Sequence, residues 1–220
     1  MKRVFDFTPN PTKIVKEPSG LLRAVLAPSV KPRSMKWDCQ LYLDQYDEGA
    51  CTGFAFTHFM ATAPYPRPLD QITAPHARWI YRRGKELDEW PGEDYEGTST
   101  FGASQAAIEQ KWIKDPIWLY SEAEVCKHLS YIGPVLLGTK WYEGMMDTLD
   151  GFVKIEGEAV GRHCYLVNEY SVEKQAYNIH NSWGVNWGTF GNAWIKQSDL
   201  ARLINDGGEA CAPTKVLLDE

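Results

Sequence analysis

The chain has 220 residues, 44% of them hydrophobic and 24% charged, the composition of a globular chain long enough for one domain or two closely packed halves. Its net charge of −6 and pI near 5.4 exclude nucleic acid as the main partner, because phosphate recognition needs a basic patch and none stands out. No apolar run approaches the ~18–20 residues that cross a bilayer, so no membrane partner is expected.

Residues 1–36 read as an arm. FTPNPTKIVKEP and APSVKPRS are rich in Pro, Lys and Ser, which predicts extended wrapping or partial disorder. The start, MKRVFDFTPNPTK, is basic but lacks a continuous apolar stretch, so no secretory signal is expected. The remainder, 37–220, reads as one domain with a helical lobe over about 37–116 and a β lobe over about 117–220. TGFAFTHFMAT (52–62) is small and aromatic throughout and predicts a buried helix, with Cys51 at its N-terminal end and Pro64, Pro66 and Pro68 closing it. ITAPHARWIYRRGKELDEW (72–90) has helical spacing and enters through Pro75. An acidic loop, WPGEDYEGTST, then leads into an Ala-rich helix over 102–113.

After Pro116 the pattern changes. Segments 134–141, 151–157, 162–172, 175–183 and 192–197 are short β-branched or aromatic runs broken by Gly, Asn and Asp, which predicts strands. SDLARLIND (198–206) opens on a Ser cap and predicts a short helix. Helices followed by strands indicate an α+β fold with two lobes. Nine tryptophans and eleven tyrosines call for a large aromatic core or an aromatic-lined cleft. The five cysteines, at 39, 51, 126, 164 and 211, are odd in number and without a C-x-x-C pair. That pattern argues against a disulfide framework and against a zinc site, and points to free thiols in a reducing cytoplasm.

The chemistry is carried by four residues in order: Gln45 and Cys51 in QYDEGACTGFAF, His163 in GRHCYLV, and Asn181 in NSWGVNWG. A thiol attacks as its thiolate, and a helix N-terminus and a neighbouring imidazole are the usual means of forming one. Cys51 begins the predicted helix. Gly49 before it allows a tight turn and close approach of a substrate backbone. On the predicted strand His163 shares a face with Tyr165 and Val167, while Cys164 points to the other. Asn181 can accept from the imidazole and hold its tautomer, with Trp183 covering that bond from water. The Cys51 main-chain N–H and the Gln45 side-chain amide are the candidate oxyanion donors.

QYDEGACTGFAF resembles the nucleophile loop and helix of papain-like cysteine peptidases, GRHCYLVNEY their histidine strand, and NSWGVNWGTFGNAWI their asparagine segment. EGTST (96–100) resembles the substrate loop of prokaryotic-type members, and GPVLLG (133–138) the strand under their main specificity pocket. The resemblance covers about residues 37–200. It implies a papain-like two-lobe fold, a helical lobe and a β-barrel-like lobe with the cleft between them. It also implies amide hydrolysis of a peptide or protein substrate without metal or organic cofactor. Residue by residue, it implies Cys51 as nucleophile, His163 as base, Asn181 as its orienter and Gln45 as oxyanion donor. Trp183 would shield the pair, Trp187 would line the leaving-group side, Thr98 and Ser99 would pair their backbone with the peptide, and Phe101 and Gly138 would shape the pocket.

There are departures from the family pattern. Glu48 stands where a disulfide-bonded cysteine is common, which leaves the loop to be held by packing alone. Thr52 replaces an aromatic residue. Arg162 precedes the base, where its guanidinium disfavours the imidazolium. The arm is shorter than a typical inhibitory pro-segment.

Two rival readings share the residues: a transpeptidase or amidase on the same Cys-His-Asn site, and a non-catalytic peptide-binding protein of the same fold. The intact four-residue set argues against the second, since a binder needs no thiolate. The other four cysteines read as inert thiols, and His58, His76, His128 and His180 as ordinary core or surface residues. The acidic residues Asp88, Glu89, Glu93, Asp94 and Glu96 read as a solvated loop that could bias the site toward basic peptides.

Overall fold

The computed structural model describes residues 24–90 and 94–215; residues 1–23 of the expected arm, and Glu93 of the acidic loop, lie outside the described residues. The described strands are β1 (Met35–Lys36), β2 (Ile113–Leu119), β3 (Val135–Tyr142), β4 (Ala159–Ser171), β5 (Ala176–His180), β6 (Asn192–Lys196) and β7 (Glu209–Lys215). They form one antiparallel sheet in the order β2-β7-β3-β4-β5-β6, with β1 on β4. The long β4 organises it. β3 covers one edge of β4 as far as Val135 opposite Val167, and β1 takes over that edge with Lys36 opposite Glu169 and Met35 opposite Tyr170.

Side-chain alternation divides this sheet between two cores. Leu136, Cys164, Leu166 and Cys211 face one side, where they pack with helices α1 (Cys51–Met60), α2 (Ala74–Leu87) and α3 (Thr100–Glu109). Leu137, Tyr165, Val167, Ala210 and Ala212 face the other, with Trp141, Trp183, Trp187 and helices α4 (Glu122–Tyr131) and α5 (Gln197–Asn205). The fold is α+β as expected. The β lobe is an open sheet and not a closed barrel, because its end strands β2 and β6 do not pair with each other.

α1 is buried along its whole length, which its uniformly small and aromatic sequence predicts. Gly53 permits this packing. A Cβ there would lie 2.0 Å from the Ala77 carbonyl oxygen of α2.

Three elements beyond the arm escape the sequence reading. β2 runs through Pro116, a residue that signals an interruption; the register shifts between Lys114 and Ile117, and this irregularity accommodates the missing N–H. α4 opens on Ser121, whose hydroxyl accepts from the Glu124 N–H. β7 is rich in small residues and carries Pro213, so its strand signal is weak. Residues 151–157 are a correction. They form no strand, only isolated bridges at Phe152, because a turn with Gly151 at φ +78 folds Phe152 back on Leu149. The helix expected over 102–113 starts at Thr100 and stops at Glu109, just before Lys111 at φ +54.

The described end of the arm is helical over residues 24–26, turns at 27–29, and is anchored beyond that point. The Arg33 N–H and Nε donate to Ser130 Oγ and O at 3.1 and 3.0 Å, and Trp37 Nε1 donates to Leu129 O at 2.8 Å.

Candidate active site

Cys51 is the first residue of α1. Its cap residue, Ala50, supplies no side-chain hydrogen bond, and no acidic residue stands in the first turn. The positive end of the helix dipole is therefore left without a local carboxylate. Cys51 is fully buried and packs in one cluster with Leu136, Cys164, Leu166 and Cys211. The N-terminus of α1 thus packs against β4 on the face that carries Cys164. Burial, then the sulfurs of Cys51 and Cys211 and the Glu209 carboxylate, push the Cys164 thiol well above the usual range. Cys164 stays a protonated, poorly nucleophilic neighbour.

His163 lies in β4 opposite Thr139 and is fully buried. Its Nε2 is 2.8 Å from Asn181 Oδ1. The same oxygen accepts the Ser182 main-chain N–H at 2.7 Å. A main-chain N–H can only donate, so this end of the amide is the carbonyl, and His163 Nε2 must carry its proton. Nδ1 is then the nitrogen at which the ring can gain or lose a proton. Asn181 reaches this position because β5 ends at His180 and not at 183 as expected. The chain turns there, and Asn181 N–H bonds to Gly191 O at 3.0 Å.

Aromatic rings enclose the imidazole. Trp183 lies 4.9 Å from it at 37°, and Trp141 meets it edge-on at 4.9 Å and 74°. Trp187 stands edge-on to Trp183 at 5.7 Å and donates Nε1–H to Met146 O at 2.8 Å. With only 7% of its surface exposed, Trp187 sits mainly in the core behind Trp183. Trp141 reads from sequence as one of many core tryptophans; only the pairing of β3 with β4 brings it to the base.

Gln45 is fully buried and held at three points. Its N–H donates to Ser182 O at 2.8 Å, its Oε1 accepts the Ser182 hydroxyl at 2.6 Å, and its Nε2 donates to Glu48 O at 2.7 Å. An amide nitrogen has two hydrogens, so one remains for a ligand. Ser182 is the residue sequence reasoning misses here, although it lies inside the NSWG signature.

Packing alone does not hold the Glu48 loop. Arg78 of α2 donates Nε to both Glu48 carboxylate oxygens at 2.8 and 2.7 Å, and its Nη2 lies 2.6 Å from Oε1. Gly49 is buried next to this anchor.

Thr98 and Ser99 are fully buried. The Thr98 hydroxyl donates to Asp88 Oδ2 at 2.7 Å and the Ser99 hydroxyl to Glu89 Oε2 at 3.0 Å, while Ser99 Oγ caps α3 at Gly102 N. Asp88 and Glu89 therefore brace the loop from within and are not free in solvent. Phe101 is half-buried against Trp118, ring centroids 6.3 Å apart. Gly138 lies between Cys164 and Glu209 of the neighbouring strands. Glu209, unforeseen in the sequence, accepts the Thr100 hydroxyl at 2.7 Å beside Phe101. The Arg162 guanidinium donates to Gly207 O at 2.5 Å; burial lowers its pKa and the Glu209 and Asp206 carboxylates oppose that. No cluster of His, Cys, Asp or Glu among the described residues could hold a metal ion.

No protein-family profile and no curated protein sequence matches the chain. Solved structures do. Xylellain, a cysteine protease from Xylella fastidiosa, superposes with a TM-score of 0.69 at 14% identity, covering 96% of each chain. Procathepsin B S9 from Trypanosoma congolense gives 0.66 at 11% identity, covering 97% of this chain and 87% of that one. A digestive procathepsin L 3 from the larval midgut of Tenebrio molitor gives 0.61 at 15%, covering 88% and 78%. At these identities the likeness speaks for architecture: the chain has the fold of the papain-like cysteine proteases.

Proposed function

We propose that the protein hydrolyses peptide bonds with Cys51 as nucleophile and His163 as its base. The observation that carries this reading is the doubly anchored Asn181 Oδ1, which accepts His163 Nε2–H at 2.8 Å and Ser182 N–H at 2.7 Å. It keeps a proton on Nε2, which supports Nδ1 as the nitrogen that exchanges a proton with a thiol. The substrate lies extended in the groove between the helical side (37–116) and the β side (117–220). Its backbone pairs with main-chain groups of Thr98 and Ser99, and a side chain is received near Phe101 and Gly138.

Cys51 Sγ transfers its proton to His163 Nδ1, and the thiolate of this thiolate–imidazolium pair attacks the scissile carbonyl. The imidazolium keeps its Nε2–H bond to Asn181. The oxyanion is received by the Cys51 main-chain N–H and the second Gln45 Nε2–H, and loss of one such donor typically costs about 3–4 kcal/mol of barrier. His163 Nδ1 hands its proton to the leaving amine. Water then attacks the thioester, with Nδ1 again accepting the proton. Trp183 and Trp141 keep water away from the imidazole edge.

A peptidyl epoxide tests the assignment. It labels the wild type and leaves Cys51→Ala unlabelled, and a fluorogenic peptide series is cleaved only by the wild type. Labelling that persists in Cys51→Ala moves the nucleophile elsewhere. Transfer of the acyl group to an added amine in preference to water would make the enzyme a transpeptidase.

A further inference from the structure

Gln45 is carried by a strap, residues 39–45, which is held from both sides by a histidine. The Leu43 N–H donates to His58 Nε2 at 3.0 Å; His58 lies on α1 about two turns beyond Cys51. Leu41 O accepts from His180 Nε2 at 2.8 Å, and His180 is the last residue of β5, immediately before Asn181. The two rings meet edge to face, centroids 4.6 Å apart at 85°. Past Leu43 the strap docks on the asparagine segment, with Gly184 N–H donating to Leu43 O at 3.2 Å and Gln45 N–H to Ser182 O at 2.8 Å.

The partners set the protonation of each ring. A main-chain N–H can only donate, so His58 Nε2 bears a lone pair and the ring is neutral with its proton on Nδ1. That Nδ1 is buried without a hydrogen-bond partner. An apolar side chain would fill this fully buried position without the desolvation cost of an imidazole, and what the imidazole adds is the bond to Leu43.

His180 differs. Its Nε2 faces Leu41 O, and its Nδ1 lies 3.1 Å from Asn192 Oδ1, whose amide is oriented by Nδ2 donating to Phe190 O at 2.8 Å. Both nitrogens of His180 face acceptors, so it can take a proton without losing a bond. His58 can take one only by giving up Leu43.

Burial, reinforced by the charge on His180, pushes His58 well below the usual imidazole range. Burial also lowers His180, offset in part by Leu41 and Asn192. The other titratable groups at the pair come from the strap: the Tyr42 ring, 4.7 Å from the His180 ring, and the Cys39 thiol, 3.5 Å from the His58 carbonyl oxygen.

We infer that His58 is a positioning residue: its neutral imidazole fixes the strap that carries the Gln45 amide, and protonation of His58 loosens the hold on that amide. The consequence for turnover rests on the peptidase reading; the bond between strap and helix does not.

The test has two arms. In ¹⁵N-labelled wild type at neutral pH, a scalar coupling across the hydrogen bond links Leu43 N to His58 Nε2. It disappears on acidification together with dispersion of the Gln45 side-chain amide signals. In the kinetic arm, His58→Leu lowers kcat about 100-fold, the scale of an ~1 Å misplacement, with KM within about threefold. His58→Gln keeps an acceptor that does not titrate. It holds kcat within about 10-fold of wild type and lacks the acid fall in kcat that follows the loss of the coupling. Absence of the coupling at neutral pH overturns the inference. So does a folded His58→Leu with wild-type kcat, or a His58→Gln with the wild-type acid limb. Should His58→Leu not fold, the wild-type coupling and the His58→Gln profile still decide. If the wild type cleaves no peptide while the coupling and its acid loss are present, the peptidase reading fails and the strap device stands.

Discussion

Ser182→Ala tests how the oxyanion amide is held. The Ser182 hydroxyl donates to Gln45 Oε1 at 2.6 Å, and both residues are at most 1% exposed. Removing the hydroxyl leaves a buried carbonyl oxygen without its donor, which typically costs about 1–3 kcal/mol. For a chain of this length that is a fall in Tm of about 2–4 °C per kcal/mol. The main-chain bond from Gln45 N to Ser182 O and the bond from Nε2 to Glu48 O survive, so the amide is loosened and not lost. A fall in kcat of about 10-fold is expected, against about 100- to 1,000-fold for removing an oxyanion donor outright with Gln45→Ala. Urea denaturation measures the first quantity and peptide turnover the second. The double variant separates direct from indirect action: if Ser182 works through Gln45, Ser182→Ala with Gln45→Ala turns over no more slowly than Gln45→Ala alone. Stability within about 0.5 kcal/mol of wild type, or multiplicative losses in the double variant, would refute the reasoning.

Other outcomes follow from packing and charge. Gly53→Ala places a methyl 2.0 Å from the Ala77 carbonyl oxygen, a main-chain atom that cannot rotate aside. The loss is at or above the ~1–3 kcal/mol usual for overpacking, and a urea midpoint equal to wild type would contradict the contact between α1 and α2. His128 is 4% exposed, and its Nδ1–H donates to Gly133 O at 3.0 Å; burial pulls its pKa from 6.5 to about 4. The unfolded chain binds this proton first, so stability is full above pH ~6.5 and falls as the pH drops toward ~4, by about 3 kcal/mol from His128 alone. Urea midpoints across that range measure the loss, and His128→Gln flattens the curve. Glu48→Ala removes a pair whose side chains are about one third exposed, so it lowers stability by less than about 1 kcal/mol; a larger loss in the same assay would make the ion pair the main anchor of the loop.

The candidate site is legible in the chain wherever its chemistry is written in contiguous residues. QYDEGAC places a thiol at the start of a helix because small and aromatic residues follow it on every face. Alternation along GRHCYLV assigns His163 and Cys164 to opposite sides of a strand, and the two cores of the sheet divide accordingly. The strand at 134–141 and the helices around 52–62 and 72–90 are legible for the same reason: period and punctuation agree. β2 is not, because Pro116 signals a break that a bulge absorbs. Residues 151–157 mislead because a hydrophobic run with flanking glycines has the composition of a strand without its pairing.

What the sequence determines by itself is thus the identity, order and local backbone of the chemical groups, since these depend on neighbours within a few residues. Only the tertiary structure decides which groups meet. Ser182 reaches Gln45 across 137 positions, and Thr100 reaches Glu209 across 109. Trp141 comes to His163 through strand pairing, and His58 comes to the strap through the burial of α1. These contacts are set by register and packing, in which residues far apart along the chain are close-packed neighbours, and nothing in a local pattern encodes them.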